Sequence, residues 1–166
     1  MHYIIDANNL AGSFDILKEK KFDKKLAGII KKWLGDKNHV VDLVFDSADL
    51  MGDKIKDNNI TLIYTPKDSY YKSADDKIVE LARIDNSQSG QELVIITNDI
   101  ELKERIRKIV DETGQEIKLI GSTEFSKKID NYFRKKLNKN NSGDEKDKLN
   151  KNDISKINDE LLRKWS

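Results

Sequence analysis

Short apolar runs that stop on a carboxylate recur along this chain, and they narrow its possible folds more than any other feature. Tyr3-Ile4-Ile5 runs into Asp6, Val40-Val41-Asp42-Leu43-Val44-Phe45 into Asp46, and Leu93-Val94-Ile95-Ile96-Thr97-Asn98 into Asp99. Ser73-Ala74 leads into Asp75-Asp76 at the head of a helical pattern. Apolar runs of this length read as strands buried on both faces, as in parallel sheets. In an open α/β sheet, ligands sit outside the carboxyl ends of the strands. Neighbouring strands of this kind therefore bring their terminal aspartates onto one patch. Two bare carboxylates ~4 Å apart at an effective dielectric of ~20 repel by about 4 kcal/mol. A cluster of them implies a bound cation or shifted protonation.

The apolar pattern predicts strands at 2–6, 40–46, 60–65, 93–97 and 116–120. Between them the period lengthens to that of helices. Leu26, Ile29, Ile30, Trp33 and Leu34 share one face of a helix over 22–35, and Ala74, Ile78, Leu81 and Ala82 one over 73–85, with Ser73 as its N-cap. Leu102, Ile106, Ile109 and Val110 mark the next helix, which Gly114 closes. Phe125, Ile129, Phe133 and Leu137 space a last one, capped by Ser122 or Thr123. Strands alternating with helices predict an α/β three-layer sandwich with a mostly parallel sheet. Pro66 ends the third strand. The 47–59 connection carries no pattern for a crossover helix, so that sheet edge stays open.

The composition changes after Leu137. Residues 138–152 contain a single apolar residue and read as a flexible polar linker. Ile154, Ile157, Leu161, Leu162 and Trp165 then recur at helical spacing, an amphipathic helix over 153–166. Its stripe needs a surface: the chain's own domain, a partner protein, or a second copy in a homodimer.

Composition excludes several chemistries. The chain has no cysteine, so thiolate zinc sites, disulfides and cysteine nucleophiles are ruled out. His2 and His39 are too scattered for a histidine-based metal site. Any metal must be held by oxygen, which points to Mg²⁺ or Mn²⁺. No apolar run reaches the ~20 residues that span a bilayer, and no secretory pattern precedes the first strand, so a cytoplasmic protein is expected. The 31 basic and 30 acidic residues nearly cancel, so net charge says nothing about a polyanionic partner.

The order of the acids carries a family resemblance. Ile5-Asp6-Ala7-Asn8-Asn9-Leu10, Val44-Phe45-Asp46-Ser47, Ser73-Ala74-Asp75-Asp76-Lys77-Ile78 and Ile96-Thr97-Asn98-Asp99 together resemble the NYN family, the bacterial branch of the PIN-like ribonucleases that includes the YacP-like proteins. The resemblance covers about 1–137. It implies a parallel sheet of order 3-2-1-4-5 and an acidic pocket in which one or two divalent cations hydrolyse RNA. Carried over by motif, Asp6, Asp46, Asp75 and Asp99 are the catalytic, metal-binding positions, and Asn9 matches the asparagine three residues after the first aspartate. Family members usually read Asp-Gly-Tyr-Asn where this chain has Asp6-Ala7-Asn8-Asn9. The missing glycine is expected to restrict the turn after the first strand, and the missing tyrosine to alter substrate contacts.

Phosphodiester hydrolysis needs an activated water and charge stabilisation on the phosphoryl oxygens, which carboxylate-held Mg²⁺ or Mn²⁺ supplies. Asp6 and Asp99 are expected innermost, with Asp75 completing the site and Asp46 binding directly or through water. Asn9 orients a carboxylate or donates to phosphate. Thr97 and Asn98 stand behind the ligands or act as caps. Lys67-Asp68-Ser69-Tyr70-Tyr71-Lys72 mixes basic and aromatic residues beside the Asp75 helix, a composition suited to RNA. Tyr71, Lys72 and Lys77 are the expected substrate contacts; the alternative is that the tyrosines pack the loop onto its own domain.

The activity expected is thus an endoribonuclease, acting alone or on RNA presented by the ribosome or another partner through the C-terminal helix. The same chemistry would serve a toxin. Its rival is an inactive RNA-binding module of the same fold, which would have lost one or more acids. A phosphoacceptor domain would want a lysine where Leu119-Ile120-Gly121-Ser122 stands, and no phosphate-binding Gly-x-x-x-x-Gly-Lys run occurs.

Overall fold

A six-stranded sheet carries helices on both faces. The computed structural model describes residues 1–46, 51–68, 70–85 and 90–141. The expected helix at 153–166, and the linker beyond Asn141, lie outside the described residues. In chain order the elements are β1 (His2–Asp6), α1 (Ala7–Ser13), α2 (Phe22–Leu34), β2 (Val40–Asp46), β3 (Asp53–Asp57), β4 (Ile60–Thr65), α3 (Ala74–Asp85), β5 (Leu93–Ile96), α4 (Ile100–Thr113), β6 (Ile117–Ile120) and α5 (Ser122–Asn141). The sheet order is β3-β4-β2-β1-β5-β6. All neighbours are parallel except β3 and β4.

Without β3, the order is the expected 3-2-1-4-5. β3 is the correction, and it explains how the chain crosses from β2 to β4 without a helix. β4 runs parallel to β2, so the chain must first return to the other end of the sheet. β3 makes that return in the plane of the sheet, antiparallel to β4 in the register Asp53↔Tyr64 to Asp57↔Ile60. Asn58, in the left-handed region at φ 53°, turns it into β4. Every β3 side chain is exposed, so no apolar period announced it. Its Asp-Lys-Ile-Lys-Asp sequence is what a solvated edge strand requires to resist pairing with other chains.

Alternation along the strands divides the interior in two. Tyr3, Ile5, Leu43, Phe45, Val94 and Ile96 face α2 and α5, packing with Leu26, Ile30, Trp33, Phe125 and Ile129. Ile4, Val44, Ile63 and Ile95 face the opposite way, onto Ala74, Ile78 and Ala82 of α3 and Leu102, Ile106 and Ile109 of α4. Asp6 shares the parity of Ile4, Asp46 that of Val44, and Thr97 that of Ile95. All three side chains therefore leave the sheet on the α3/α4 face, at the ends where those helices begin. α5 continues to Asn141, so its last turn extends past Leu137 into the segment read as linker, with Lys136 and Lys139 in solvent. No helix among the described residues is long and apolar enough to cross a membrane.

Gly52, at φ +64°, enters β3 where an added Cβ would lie 2.7 Å from the Tyr64 carbonyl oxygen and 2.8 Å from Pro66 Cδ. Gly28, inside α2, has nothing within 4 Å of the same atom. Gly52→Ala is expected to destabilise the protein by about 2 kcal/mol or more, whereas Gly28→Ala should stabilise it by roughly 0.5–1 kcal/mol through helix propensity. Urea unfolding of the two variants tests both signs.

Candidate active site

Strand parity and helix polarity place the four acids on one edge. In a parallel α/β unit, the carboxyl end of each strand and the start of the next helix lie on the same side, so the acids sit in the positive field of helix N-termini. Asp6 ends β1 and caps α1: its Oδ1 accepts from the Asn9 amide at 3.2 Å. Asp99 caps α4, its Oδ1 accepting from the Leu102 amide at 2.9 Å. Asp75 and Asp76 fill the first turn of α3. Asp46 ends β2 and reaches across to the same helix, where its Oδ1 accepts from the Ala74 amide at 2.7 Å.

Asparagines stitch the intervening turns together. Asn8 Oδ1 accepts from the Asp46 amide at 3.0 Å, and Asn9 Oδ1 from the Asn98 amide at 2.9 Å. Asn98 in turn donates through Nδ2 to Thr123 Oγ1 at 2.8 Å, joining the start of α5 to the same edge. Thr97 donates its hydroxyl to Asp6 Oδ2 at 3.1 Å and accepts from the Asp99 amide at 3.0 Å. Thr97 and Asn98 thus stand behind the carboxylates as structural supports, and Asn9 is tied to the β5 turn through its carbonyl oxygen.

The missing glycine and tyrosine have no adverse effect on this frame. Ala7 is the first residue of a helix and fully buried, so no left-handed conformation is needed after β1. Asn8, in place of the tyrosine, supplies the bond to β2. Both α1 and this bond went unseen in the sequence. A seven-residue helix is too short to show a period, although Asp6 ahead of Leu10 and Ala11 is an N-cap signal.

Electrostatics show that the acids feel one another. Asp6 is 7% exposed, and its pKa is pushed up to about 6, chiefly by burial; Asp75 and Asp46 push it further, while the Asn9 and Thr97 hydrogen bonds oppose the rise. Asp75 is raised by burial, then by Asp99 and Asp46, with Arg105 pulling the other way. Asp75 is thus linked electrostatically to Asp6, Asp46 and Asp99. No ion pair joins Asp6, Asp46, Asp75 or Asp99 to a cation among the described residues. Arg105 pairs instead with Asp76 at 2.8 Å, and Asp76 also accepts from the Lys72 amide, which lowers its pKa despite partial burial.

The donor set suits a hard divalent cation. No group of three or more acidic or histidine side chains among the described residues is gathered closely enough to hold an ion by itself. Mg²⁺ and its analogues commonly take one or two carboxylates and fill the remaining positions with water and substrate phosphate, so two of these acids would be enough.

The expected substrate contacts are placed differently. Tyr71 donates its hydroxyl to Glu80 Oε2, which also pairs with Lys77 at 3.0 Å, and the Lys77 ammonium lies 5.1 Å from the Tyr71 ring centroid. Both groups are engaged within their own loop and helix. Lys72 is exposed, and so is Tyr70.

The family model for the YacP-like NYN domain matches residues 3–166, so the match runs past 137 through the C-terminal segment. The structure is similar to the crystal structure of a mutant of Rae1 (YacP) from Bacillus subtilis. The TM-score is 0.59 at 17% sequence identity, covering 99% of this chain and 96% of that one. No curated protein matches the chain.

The Asp6 shift has a stability consequence whose sign follows from linkage. A carboxyl raised from 3.8 to about 6 on folding contributes most below its unfolded pKa, and that contribution is lost as pH rises through about 6. Asp6→Asn, which keeps the cap and removes the charge, should stabilise the metal-free protein by up to about 3 kcal/mol above pH 6. The advantage should vanish below about pH 4, and urea unfolding across pH 3.5–8 in chelator measures it.

Proposed function

The chain belongs to the YacP-like NYN domain family, and from that premise we propose that it is a metal-dependent endoribonuclease acting at the carboxylate edge of the sheet. The observation that supports this most is electrostatic. Asp6 and Asp75 are raised by burial and by acidic neighbours at the carboxyl edge of the sheet, with no cation paired to them among the described residues. A PIN-like nuclease fold supplies the frame, and RNA is the substrate such a domain implies.

In this reading Asp75 and Asp6 hold the ion most closely, with Asp46 and Asp99 completing its surroundings through water. Bound Mg²⁺ or Mn²⁺ would lower the pKa of a water and offset charge on the phosphoryl oxygens. The chain's own groups set the stage. Thr97 and the Asn9 amide fix the orientation of Asp6. Asp46 holds the start of α3, and thereby Asp75, through the Ala74 amide. Arg105, anchored by Asp76 and felt electrostatically by Asp75, is available to a substrate phosphate. Cytoplasmic action, and presentation of RNA by a ribosome or protein partner through the C-terminal helix, belong to the same proposal.

Wild-type protein incubated with single-stranded RNA should yield fragments bearing 5′-phosphates in Mn²⁺ or Mg²⁺, and none in chelator. Asp6→Asn and Asp75→Asn should each lower cleavage at least 100-fold, as expected for groups that stabilise transition-state charge. Mn²⁺ should raise the unfolding midpoint of wild type but not of Asp6→Asn, since a ligand stabilises only the state that binds it. Tight RNA binding without metal-dependent cleavage would favour the inactive RNA-binding module instead.

A further inference from the structure

Tyr70 stands out among the described aromatic residues because it is 84% exposed. Its neighbour Tyr71 is engaged by Glu80 and Lys77. The remaining aromatics with described ring contacts pack against one another, as Phe45 does on Tyr64 and Trp33 on Phe125. The backbone beneath Tyr70 is fixed by acidic side chains. Asp68 Oδ1 accepts from the Tyr70 amide at 2.7 Å and the Tyr71 amide at 3.0 Å, a local turn of the kind aspartate builds. Asp76 Oδ2 accepts from the Lys72 amide at 2.8 Å, and Asp46 from the Ala74 amide at 2.7 Å. The segment that carries Tyr70 is thus braced within itself by Asp68 and tied at two points, through Asp76 and Asp46, to the edge that bears the acids, and it ends on Asp75 five residues later. Lys67 and Lys72 flank it, both exposed and neither paired with an acid among the described residues.

We infer that Tyr70 is a stacking platform for an unpaired base of the RNA strand entering the carboxylate site, with Lys67 and Lys72 against the neighbouring phosphates. The inference rests on the ribonuclease reading and adds to it a residue that positions the substrate. A flat, solvent-facing ring on an anchored loop binds a splayed-out base, whereas the bases of an A-form duplex are stacked on each other and unavailable. Stacking is tolerant of base identity because every base has a π-face. The platform therefore selects single-stranded RNA over duplex with little preference for sequence.

The test uses the full-length protein with a fluorescein-labelled single-stranded octanucleotide and, separately, the matching duplex, with Ca²⁺ replacing Mg²⁺ so that binding is read by anisotropy without turnover. Tyr70→Ala should weaken single-strand binding about tenfold or more, while Tyr70→Phe and Tyr70→Trp retain it and duplex binding stays as weak as in wild type. Under Mn²⁺ the loss in Tyr70→Ala should fall on KM rather than kcat. Equal binding by Tyr70→Ala and wild type, equal losses on single strand and duplex, or a change only in oligomeric state would each overturn the platform while leaving the nuclease reading intact. A wild-type protein that neither binds nor cuts RNA would overturn both.

Discussion

A carboxylate buried at the end of the central strand is the constraint around which the site is arranged. Asp6 leaves β1 on the α3/α4 face, between β2 and β5, where little water reaches it. Burial of a charge without a partner is among the most costly features a fold can carry. The surroundings soften that cost without removing it. One oxygen accepts from the Asn9 amide at the start of α1 and the other from the Thr97 hydroxyl. Both bonds favour the ionised form, yet burial and the neighbouring acids still raise the pKa to about 6. A helix N-terminus and a hydroxyl suffice to keep the charge in place, but not to neutralise it.

The same bonds make the edge rigid. The carboxyl ends of β1, β2, β5 and β6 lie along this edge, and connections at the end of a sheet are ordinarily its loosest parts. Here Asn8 ties the first to the second, Asn9 ties the first to the third, and Asn98 ties the third to the fourth through Thr123. Asp46 adds α3. Each link joins a side chain to a segment distant in sequence, so carboxylates separated by as much as 93 positions (Asp6 to Asp99) are held in one frame. Preorganised groups of this kind need no rearrangement when charge develops in a substrate. The repulsion among the acids is then a property of the frame, one that a bound cation would relieve.

Strand parity explains why so much of this was legible in the sequence. Once Tyr3-Ile4-Ile5-Asp6 and Leu43-Val44-Phe45-Asp46 are read as buried strands, period two fixes which face each aspartate takes, and the parallel sheet fixes which end. β3 was illegible because an exposed charged edge strand leaves no apolar period, only the absence of a crossover helix. The prominence of Asp75 was also hidden. Sheet order ranks Asp6 and Asp99 as neighbours, but only the packing of Ile78 and Ala82 against the sheet brings the first turn of α3 over its end. Tyr70 and Tyr71 are chemically alike in sequence. What separates them is Glu80, which lies a helical turn and a half beyond Asp75 and captures one hydroxyl.

The energetics of Asp6 bear on whether the site is a relic or a working part. An asparagine at the same position would still accept from the Asn9 amide and bond to Thr97, and it would cap α1 about as well. It would also be free of the desolvation that raises the carboxyl to about 6. A module that only bound RNA would gain stability and lose an unfavourable charge opposite phosphate by that single exchange. The charge is intelligible where a cation comes to meet it, because the same desolvation that penalises the bare carboxylate strengthens its attraction to an ion. On the proposed reading, the cost of the bare carboxylate edge and the attraction it would offer a cation are two consequences of burying Asp6 at the end of β1.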